Sequence, residues 1–359
     1  MPKKLTFQTV VYILLAVAFL YAIYSYRDQL NDIANILQHG IWYYVAASIL
    51  VLLAVIYVQT ALYSSIYAIF EVPSAKKRIL PLYLVTRFVT VAAPSGGLSA
   101  FVPFLQYARR GEVGVGRIII ANLVRTILWY SSFGFFLLLG LGYLFLAHDL
   151  QWFELSASIV VFVANLTMVL ALVLSWVAPR LLERILHTVA RLLEQIFGWI
   201  HQKPPVTDKQ MTIFVRDLNR AVSQMRVVGW RGLLVPVGYA FLNETLNLAM
   251  LYLLARAFML DLSFGIIVTA YSISILFFIV SPTPGGLGFV EGAMILVMTT
   301  LDVPQDKAAV VTLAFRGISF WGPFILGFLA LRWTRHPTGR VVERSEVLSE
   351  NSDDVNLIR

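Results

Sequence analysis

Five ionisable side chains fall inside long apolar stretches of this sequence. They are three arginines and two glutamates: Arg87, Arg125, Arg316, Glu244 and Glu291. A charged side chain in the middle of a membrane helix costs about 2.5–3.5 kcal/mol on insertion scales, so such residues usually take part in function. The arginines could bind an anionic group. The glutamates could act as counter-ions, bind an amino group or take up a proton.

Structural roles for the same residues are open at this point. Arg125 could extend towards the cytoplasmic face, and Glu291 could complement the dipole of its helix, worth about 0.3–1 kcal/mol. Glu244 and Arg316 could form a buried ion pair with each other. None of these structural roles requires a ligand.

Two short Pro- and Gly-containing runs interrupt apolar stretches, APSGGL at residues 93–98 and TPGGL at residues 283–287. Lipid cannot satisfy backbone groups that a break leaves unpaired, so such a break must face protein or water. Helices that resume after Gly97 and Gly286 would present unpaired amides and a positive dipole end, which suits an anion such as phosphate. The predicted substrate-binding residues are Arg87, Ser95, Gly96, Gly97, Arg125, Glu244, Thr283, Gly285, Gly286, Gly288, Glu291 and Arg316.

Composition places the chain in a membrane. Hydrophobic residues make up 59% of it and charged residues 13%, whereas a soluble domain is about half apolar and about a quarter charged. A membrane helix needs about 20 mostly apolar residues. Full spans are predicted at residues 7–26, 41–70, 118–147, 156–178, 233–255 and 308–331, and broken apolar segments at 79–107 and 262–301.

The distribution of Lys and Arg predicts the topology, because short cytoplasmic loops carry an excess of both. It places both termini in the cytoplasm. Segment 79–107 has basic flanks, and segment 262–301 has acidic flanks. Each therefore reads as a re-entrant hairpin, one from each face, in an inverted repeat. The alternative is a pair of ordinary kinks in continuous spans.

The predicted fold class is an all-α polytopic integral membrane protein with four regions. Residues 1–178 form an N-terminal membrane half and residues 233–331 a C-terminal membrane half. Residues 179–232 form cytoplasmic amphipathic helices, which either lie on anionic lipid or merely link the halves. Residues 332–359 form a polar cytoplasmic tail.

Several kinds of chemistry find little support in the sequence. There is no cysteine, and the five histidines fall in loops, the linker or the tail. We therefore predict no cofactor, no metal site and no catalytic residues, although carboxylate chemistry by Glu291 stays open. The net charge of +8 is explained by the cytoplasmic loops, and no nucleic-acid partner is predicted.

Four stretches carry a family resemblance: PSGGLSAFVPFLQYARRG at 94–111, Arg125, SPTPGGLGFVEGAM at 281–294, and AFRGISFWGPFILG at 314–327. Together they resemble the flippase-like transmembrane family of lysylphosphatidylglycerol synthetases. The first stretch departs from the Gly-Arg-x-Gly-Glu version of many members. Two-part members add a soluble domain that aminoacylates phosphatidylglycerol, and the chain after Arg332 leaves no room for one, so the resemblance implies a stand-alone member without synthase activity.

The resemblance implies movement of a lipid with a charged headgroup between leaflets. We expect a lipid translocase in the cell inner (plasma) membrane that crosses it several times, with the lipid and the bilayer as partners. A membrane-embedded lipid-modifying enzyme and a non-catalytic envelope assembly partner are the alternatives. Self-association into a homo-oligomer is left open.

Overall fold

The computed structural model describes residues 27–92, 103–104, 115–147, 152–177, 188, 208–281 and 283–331. All of the regular elements in these residues are helical, which confirms the all-α prediction. The helices are α1 Arg27–His39, α2 Trp42–Ile69, α3 Lys76–Ala92, α4 Val115–Leu146, α5 Trp152–Val177, α6 Asp208–Ala257, α7 Phe264–Val280, α8 Phe289–Thr300, α9 Gln305–Arg316 and α10 Gly322–Ala330. A 3₁₀ turn at Pro284–Gly286 precedes α8, and a π-helical turn at Gly317–Trp321 joins α9 to α10.

Three helical stretches of the described chain are long and apolar enough to cross a membrane: Trp42–Ile69, Gly116–Leu146 and Gln305–Ala330. They coincide with the spans predicted at 41–70, 118–147 and 308–331. Helix α2 contains no charged residue in 28 positions. At 1.5 Å per residue it is about 42 Å long, enough to cross about 30 Å of hydrocarbon with its ends in the headgroups.

The other predicted spans are supported less fully. Residues 156–177 lie in α5 and residues 233–255 lie in α6, but crossing of the membrane by these helices stays a prediction. Helix α6 contains a break at Gly229, whose φ of 63° and ψ of −175° are not helical. The span predicted at 7–26 and the tail 332–359 lie outside the described residues, as does most of the linker before residue 208. The division into regions also stays a prediction.

Helix packing surrounds a core that joins both halves of the chain. Helix α2 packs along α6, α4 contacts both α6 and α7, and α10 packs on α3. A side chain at Gly327 of α10 would collide with the carbonyl oxygen of Leu84 in α3. Gly327 therefore allows these two backbones to approach closely, as small residues commonly do between membrane helices.

The outer surface and the interior both suit a bilayer. Helix α5 exposes about half of the surface of Ile159, Val163 and Leu166, which is expected where a helix faces lipid. Inside, the Thr60 hydroxyl donates a 2.8 Å hydrogen bond to the Ile56 carbonyl of its own helix. Such bonds satisfy buried hydroxyl groups where water is absent.

The interruption predicted in segment 262–301 is confirmed. Helices α7 and α8 contain 17 and 12 residues, so they are about 26 Å and 18 Å long, and each is shorter than the hydrocarbon layer. They pack against each other on either side of residues 281–288. Of the segment predicted at 79–107, α3 covers the first part, and the break predicted at residues 93–98 lies outside the described residues.

Candidate functional site

The second break is built on three glycines with positive φ. Gly285, Gly286 and Gly288 have φ values of 66°, 72° and 84°, a region that side chains with a Cβ rarely adopt. A Cβ on Gly285 would lie 2.6 Å from the Phe320 ring. The Gly286 amide donates to the Thr283 carbonyl at 3.0 Å, and the Thr283 hydroxyl donates to the Leu287 carbonyl at 2.9 Å. The break is therefore an ordered turn that is stabilised by hydrogen bonds between its own residues.

Glu291 occupies the start of α8. Its Oε2 accepts a 2.7 Å hydrogen bond from the Gly288 amide, three residues earlier. This is the return contact by which a glutamate in the first turn caps its own helix. The sequence predicted that the backbone amides after Gly286 would be free to bind a ligand. This is wrong for the Gly288 amide, which is already bonded to Glu291. A tethered carboxylate already lies there, and α8 begins only at Phe289.

Arg316 joins the last span to the break. Its Nε donates to Glu291 Oε1 at 2.7 Å, and its Nη2 donates to the Gly285 carbonyl at 2.9 Å. The guanidinium lies over the Phe320 ring, 4.3 Å from the ring centre, in cation–π geometry. The Arg316 side chain is 7% exposed and that of Glu291 8%. The suggested pairing of Arg316 with Glu244 is therefore wrong, because Arg316 is paired with Glu291 and bonded to the Gly285 carbonyl.

The π-helical turn directly after Arg316 was not predicted. Phe320 belongs to this turn, and its ring lies against the Arg316 guanidinium. Pro323 lies in the first turn of α10, and since proline has no N–H, the Ser319 carbonyl cannot receive an ordinary i→i+4 bond. That proline is the available sequence signal, and π turns are frequent at functional sites.

Glu244 lies in a different environment, on α6, with 0% exposure. Its Oε2 accepts a 2.6 Å hydrogen bond from the Tyr271 hydroxyl, and its Oε1 accepts a 2.8 Å bond from the Asn243 amide. The Trp129 indole is a third donor. Helices α4, α6 and α7 each contribute one of these donors. Sequence reasoning noticed Asn243, but Tyr271 and Trp129 belong to other helices, and no local pattern marks them.

Arg87 lines a small cavity beside the break. The cavity also has Thr90, Phe278 and Phe320 in its wall, and its volume of about 20 Å³ is enough for about one water molecule. Arg87 is exposed, and its charge acts on that of Arg316. No ion pair of Arg87 is found within the described ranges.

Arg125 lies over an aromatic cluster. Its guanidinium is 5.1 Å from the centre of the Tyr63 ring, which stacks on Phe104. Its Nε is buried without a hydrogen-bond partner in the described part of the chain. The charges of Arg87 and Arg125 both act on Tyr83. Arg87 thus interacts electrostatically with Arg316, and it shares a neighbour, Tyr83, with Arg125.

The remaining predicted residues, Ser95, Gly96 and Gly97, lie outside the described residues. Helix α3, which precedes them, packs on the Pro284–Gly286 turn. A Cβ on Gly285 would lie 3.6 Å from Val91, near the end of α3. The described end of α3 therefore lies next to the second break. In the described residues, no group of three or more His, Cys, Asp or Glu side chains could hold a metal ion.

Comparison with known proteins places this arrangement in a family. A UPF0104 membrane protein of Methanocaldococcus jannaschii is 24% identical over 337 residues, which are 92% of this chain and 96% of that protein. A UPF0104 membrane protein of Methanothermobacter thermautotrophicus is 32% identical over 97 residues, which are 27% and 28% of the two chains. No solved structure matches significantly.

The family match covers most of the chain. The model of the lysylphosphatidylglycerol synthase transmembrane region matches residues 9–327, which include both Pro- and Gly-containing runs and the five charged residues Arg87, Arg125, Glu244, Glu291 and Arg316. The chain therefore belongs to the family of the lysylphosphatidylglycerol synthase transmembrane region.

Proposed function

We propose that this protein is a translocase that moves a lipid with an anionic headgroup between the leaflets of the membrane. The observation that supports it most directly is the pair Arg87 and Arg125. Arg87 lines the cavity beside the break, Arg125 acts on the same tyrosine, Tyr83, as Arg87 does, and neither arginine has a carboxylate partner in the described residues. A lipid phosphate would supply the missing negative charge through charge-assisted hydrogen bonds.

Arg316 and Glu291 have a different role in this proposal. Arg316 is already neutralised by Glu291 and bonded to the Gly285 carbonyl, so a phosphate could reach it only by displacing one of them. We therefore assign Arg316 and Glu291 to holding the break in shape. The sequence also predicts that Glu244 contacts the substrate, and this stays a prediction. In the structure the Glu244 carboxylate is enclosed by three protein donors.

The conformation described here would be a closed one. The cavity beside Arg87 has room for about one water molecule, which is less than a phosphate group needs. Passage of a headgroup would require the break to move away from the end of α3. The three positive-φ glycines support such a role, since they allow backbone geometries that other residues resist.

The proposed topology has residues 79–107 and 262–301 as re-entrant hairpins from opposite faces, with both termini in the cytoplasm and the chain in the inner or plasma membrane. The shortness of α7 and α8, and their mutual packing, support this for the second segment. Transporters built this way place binding sites where the broken helices meet.

A leaflet-exchange assay tests the function. Purified protein is placed in vesicles that carry a fluorescent anionic or zwitterionic lipid, and an impermeant quencher reports how much label reaches the outer leaflet. We expect faster exchange of the anionic lipid than of the zwitterionic one. Arg87→Gln should slow the anionic lipid about tenfold or more, since a hydrogen bond to a charged group is worth about 1.5–3 kcal/mol.

Lys307→Gln is the matched control, because it removes one positive charge from an exposed residue at the start of α9. It should leave anionic exchange unchanged. Equal losses in the two variants would mean that only net charge matters, and would contradict the proposed site. Wild-type protein that is folded but exchanges no lipid would contradict the function, and mass spectrometry of the recovered lipids would then reveal any chemical modification.

A further inference from the structure

Glu244 is a fully buried carboxyl group that has no cation beside it among the described residues. The groups that contact it in the described residues are the side chains of Asn243, Tyr271 and Trp129, all of them neutral. A carboxylate removed from water without a compensating charge is costly, whereas the protonated group is not. This environment therefore makes the binding of a proton favourable.

The three partners also accommodate either protonation state. A tyrosine hydroxyl can donate or accept a hydrogen bond, and an asparagine side chain carries both a donor and an acceptor, whereas an indole only donates. When Glu244 is ionised, all three donate to it. When it is protonated, its own O–H can be received by Tyr271 or by Asn243, whose Oδ1 is buried and has no partner in the described residues.

The same shell disfavours a metal ion. Sodium, calcium and magnesium require oxygen lone pairs, and carboxylate and carbonyl oxygens supply them. Here N–H and O–H groups point towards both carboxylate oxygens. A proton is therefore the cation that suits this site.

The charged and titratable neighbours are few. Helix α2, which packs on α6, carries no charged residue, and α5 carries only Glu154, near its start. Helix α4 carries Arg125 one turn before Trp129. Helix α3 contributes Arg87, whose charge acts on Tyr271. Helix α9 places Phe315 against Tyr271 and directs Arg316 to Glu291. No second carboxylate contacts Glu244 in the described residues.

Glu244 is connected to the break through one helix. Tyr271 lies on α7, ten residues before Ser281, where the break begins. The Glu244–Tyr271 bond therefore links α6 to the helix that carries the break. Such a bond is about twice as strong when the acceptor is ionised, so the protonation state of Glu244 would change how firmly α7 is held.

We propose that Glu244 binds and releases one proton in each transport cycle, and so couples lipid movement to a pH gradient across the membrane. The proton is taken from water on one side, is held on a carboxylate oxygen, and is returned to water on the other side. The coupling rests on the proposed translocase function. The proton site itself does not.

Infrared spectroscopy tests the proton site without any transport. The full-length protein in lipid bilayers is titrated with acid, and the C=O stretching band of a protonated carboxyl group is followed. We expect a band that titrates in the wild type and is lost in Glu244→Gln. Asp306→Asn, which removes an exposed carboxyl group, should keep it, and Tyr271→Phe should shift its frequency. A band unchanged in Glu244→Gln and Tyr271→Phe would overturn the proton site.

The leaflet-exchange assay tests the coupling. With an imposed pH gradient, the wild-type rate should change by up to about tenfold per pH unit if one proton moves per cycle. Glu244→Gln should exchange lipid at a rate that does not respond to the gradient. A wild-type rate that responds to a sodium gradient and not to pH would overturn the proposal. A titrating Glu244 band without lipid exchange would overturn the translocase function and the coupling, and would leave the proton site standing.

Discussion

The two buried glutamates of this protein have opposite surroundings. Taken as whole residues, Glu291 is 6% exposed and Glu244 is 0% exposed, so burial does not distinguish them. Glu291 is paired with the guanidinium of Arg316 and caps α8 through the Gly288 amide. Glu244 is enclosed by neutral donors from three helices. The comparison teaches that the partners of a buried carboxyl group, and not its depth, indicate its role.

The difference also separates two tasks within one membrane protein. The buried charge pair of Arg316 and Glu291 also bonds the Gly285 carbonyl and so stabilises the irregular backbone of the break. A carboxyl group with neutral donors can gain or lose a proton without breaking an ion pair. Loss of a partner should therefore be severe at Glu291 and mild at Glu244.

Arg316→Gln should have the largest effect on stability. It leaves Glu291 buried and charged without a partner, and breaking a buried ion pair in this way costs about 3–5 kcal/mol. Thermal unfolding in detergent micelles should show this as a lower midpoint, together with loss of lipid exchange.

The double variant Arg316→Gln/Glu291→Gln is the control for this loss. It removes both charges and should recover much of the stability, so that the two single effects are strongly non-additive. Additive effects would mean that the pair does not hold the break, and the contrast with Glu244 would then fail.

Gly286→Val should have the next largest effect. At a φ of 72° a β-branched residue is strained by about 1–3 kcal/mol, and its Cβ would also lie 2.5 Å from Val290 Cγ2. Gly142→Val is the matched control, because a Cβ there meets nothing within 4 Å. We expect a large loss of exchange and stability in Gly286→Val and a small loss in Gly142→Val. Equal losses would show that the turn does not require glycine.

Tyr271→Phe should have the smallest effect, and one that depends on pH. The lost hydrogen bond is worth about 1.5–3 kcal/mol when its acceptor is charged and about 0.5–1.5 kcal/mol when it is neutral. Glu244 is ionised at high pH, so the loss of stability should be larger there than at low pH. Unfolding midpoints at two pH values, with exposed Tyr252→Phe as a control, measure this. A loss that is independent of pH would remove the distinction between the two carboxyl groups.

The helices and the second break could be predicted because both depend on local chemistry. The uncharged run that becomes Trp42–Ile69 must form internal hydrogen bonds in lipid, so its helix follows from composition and length. Proline and adjacent glycines at 282–288 interrupt a helix for reasons contained in the same residues. The π-helical turn after Arg316 was harder to foresee, since its signal is a single proline near the start of the next helix.

By itself, the sequence determined that the chain is a helical membrane protein, where its longest apolar helices lie and where the second break interrupts the chain. Only the tertiary structure decided which of the five charged side chains are buried, namely Glu244, Glu291 and Arg316, and which groups they meet. Arg316 is 25 residues from Glu291, and Tyr271 is 27 residues from Glu244, in each case on a different helix. Such contacts depend on how each helix is rotated and placed against its neighbours, which is settled by packing over the whole core.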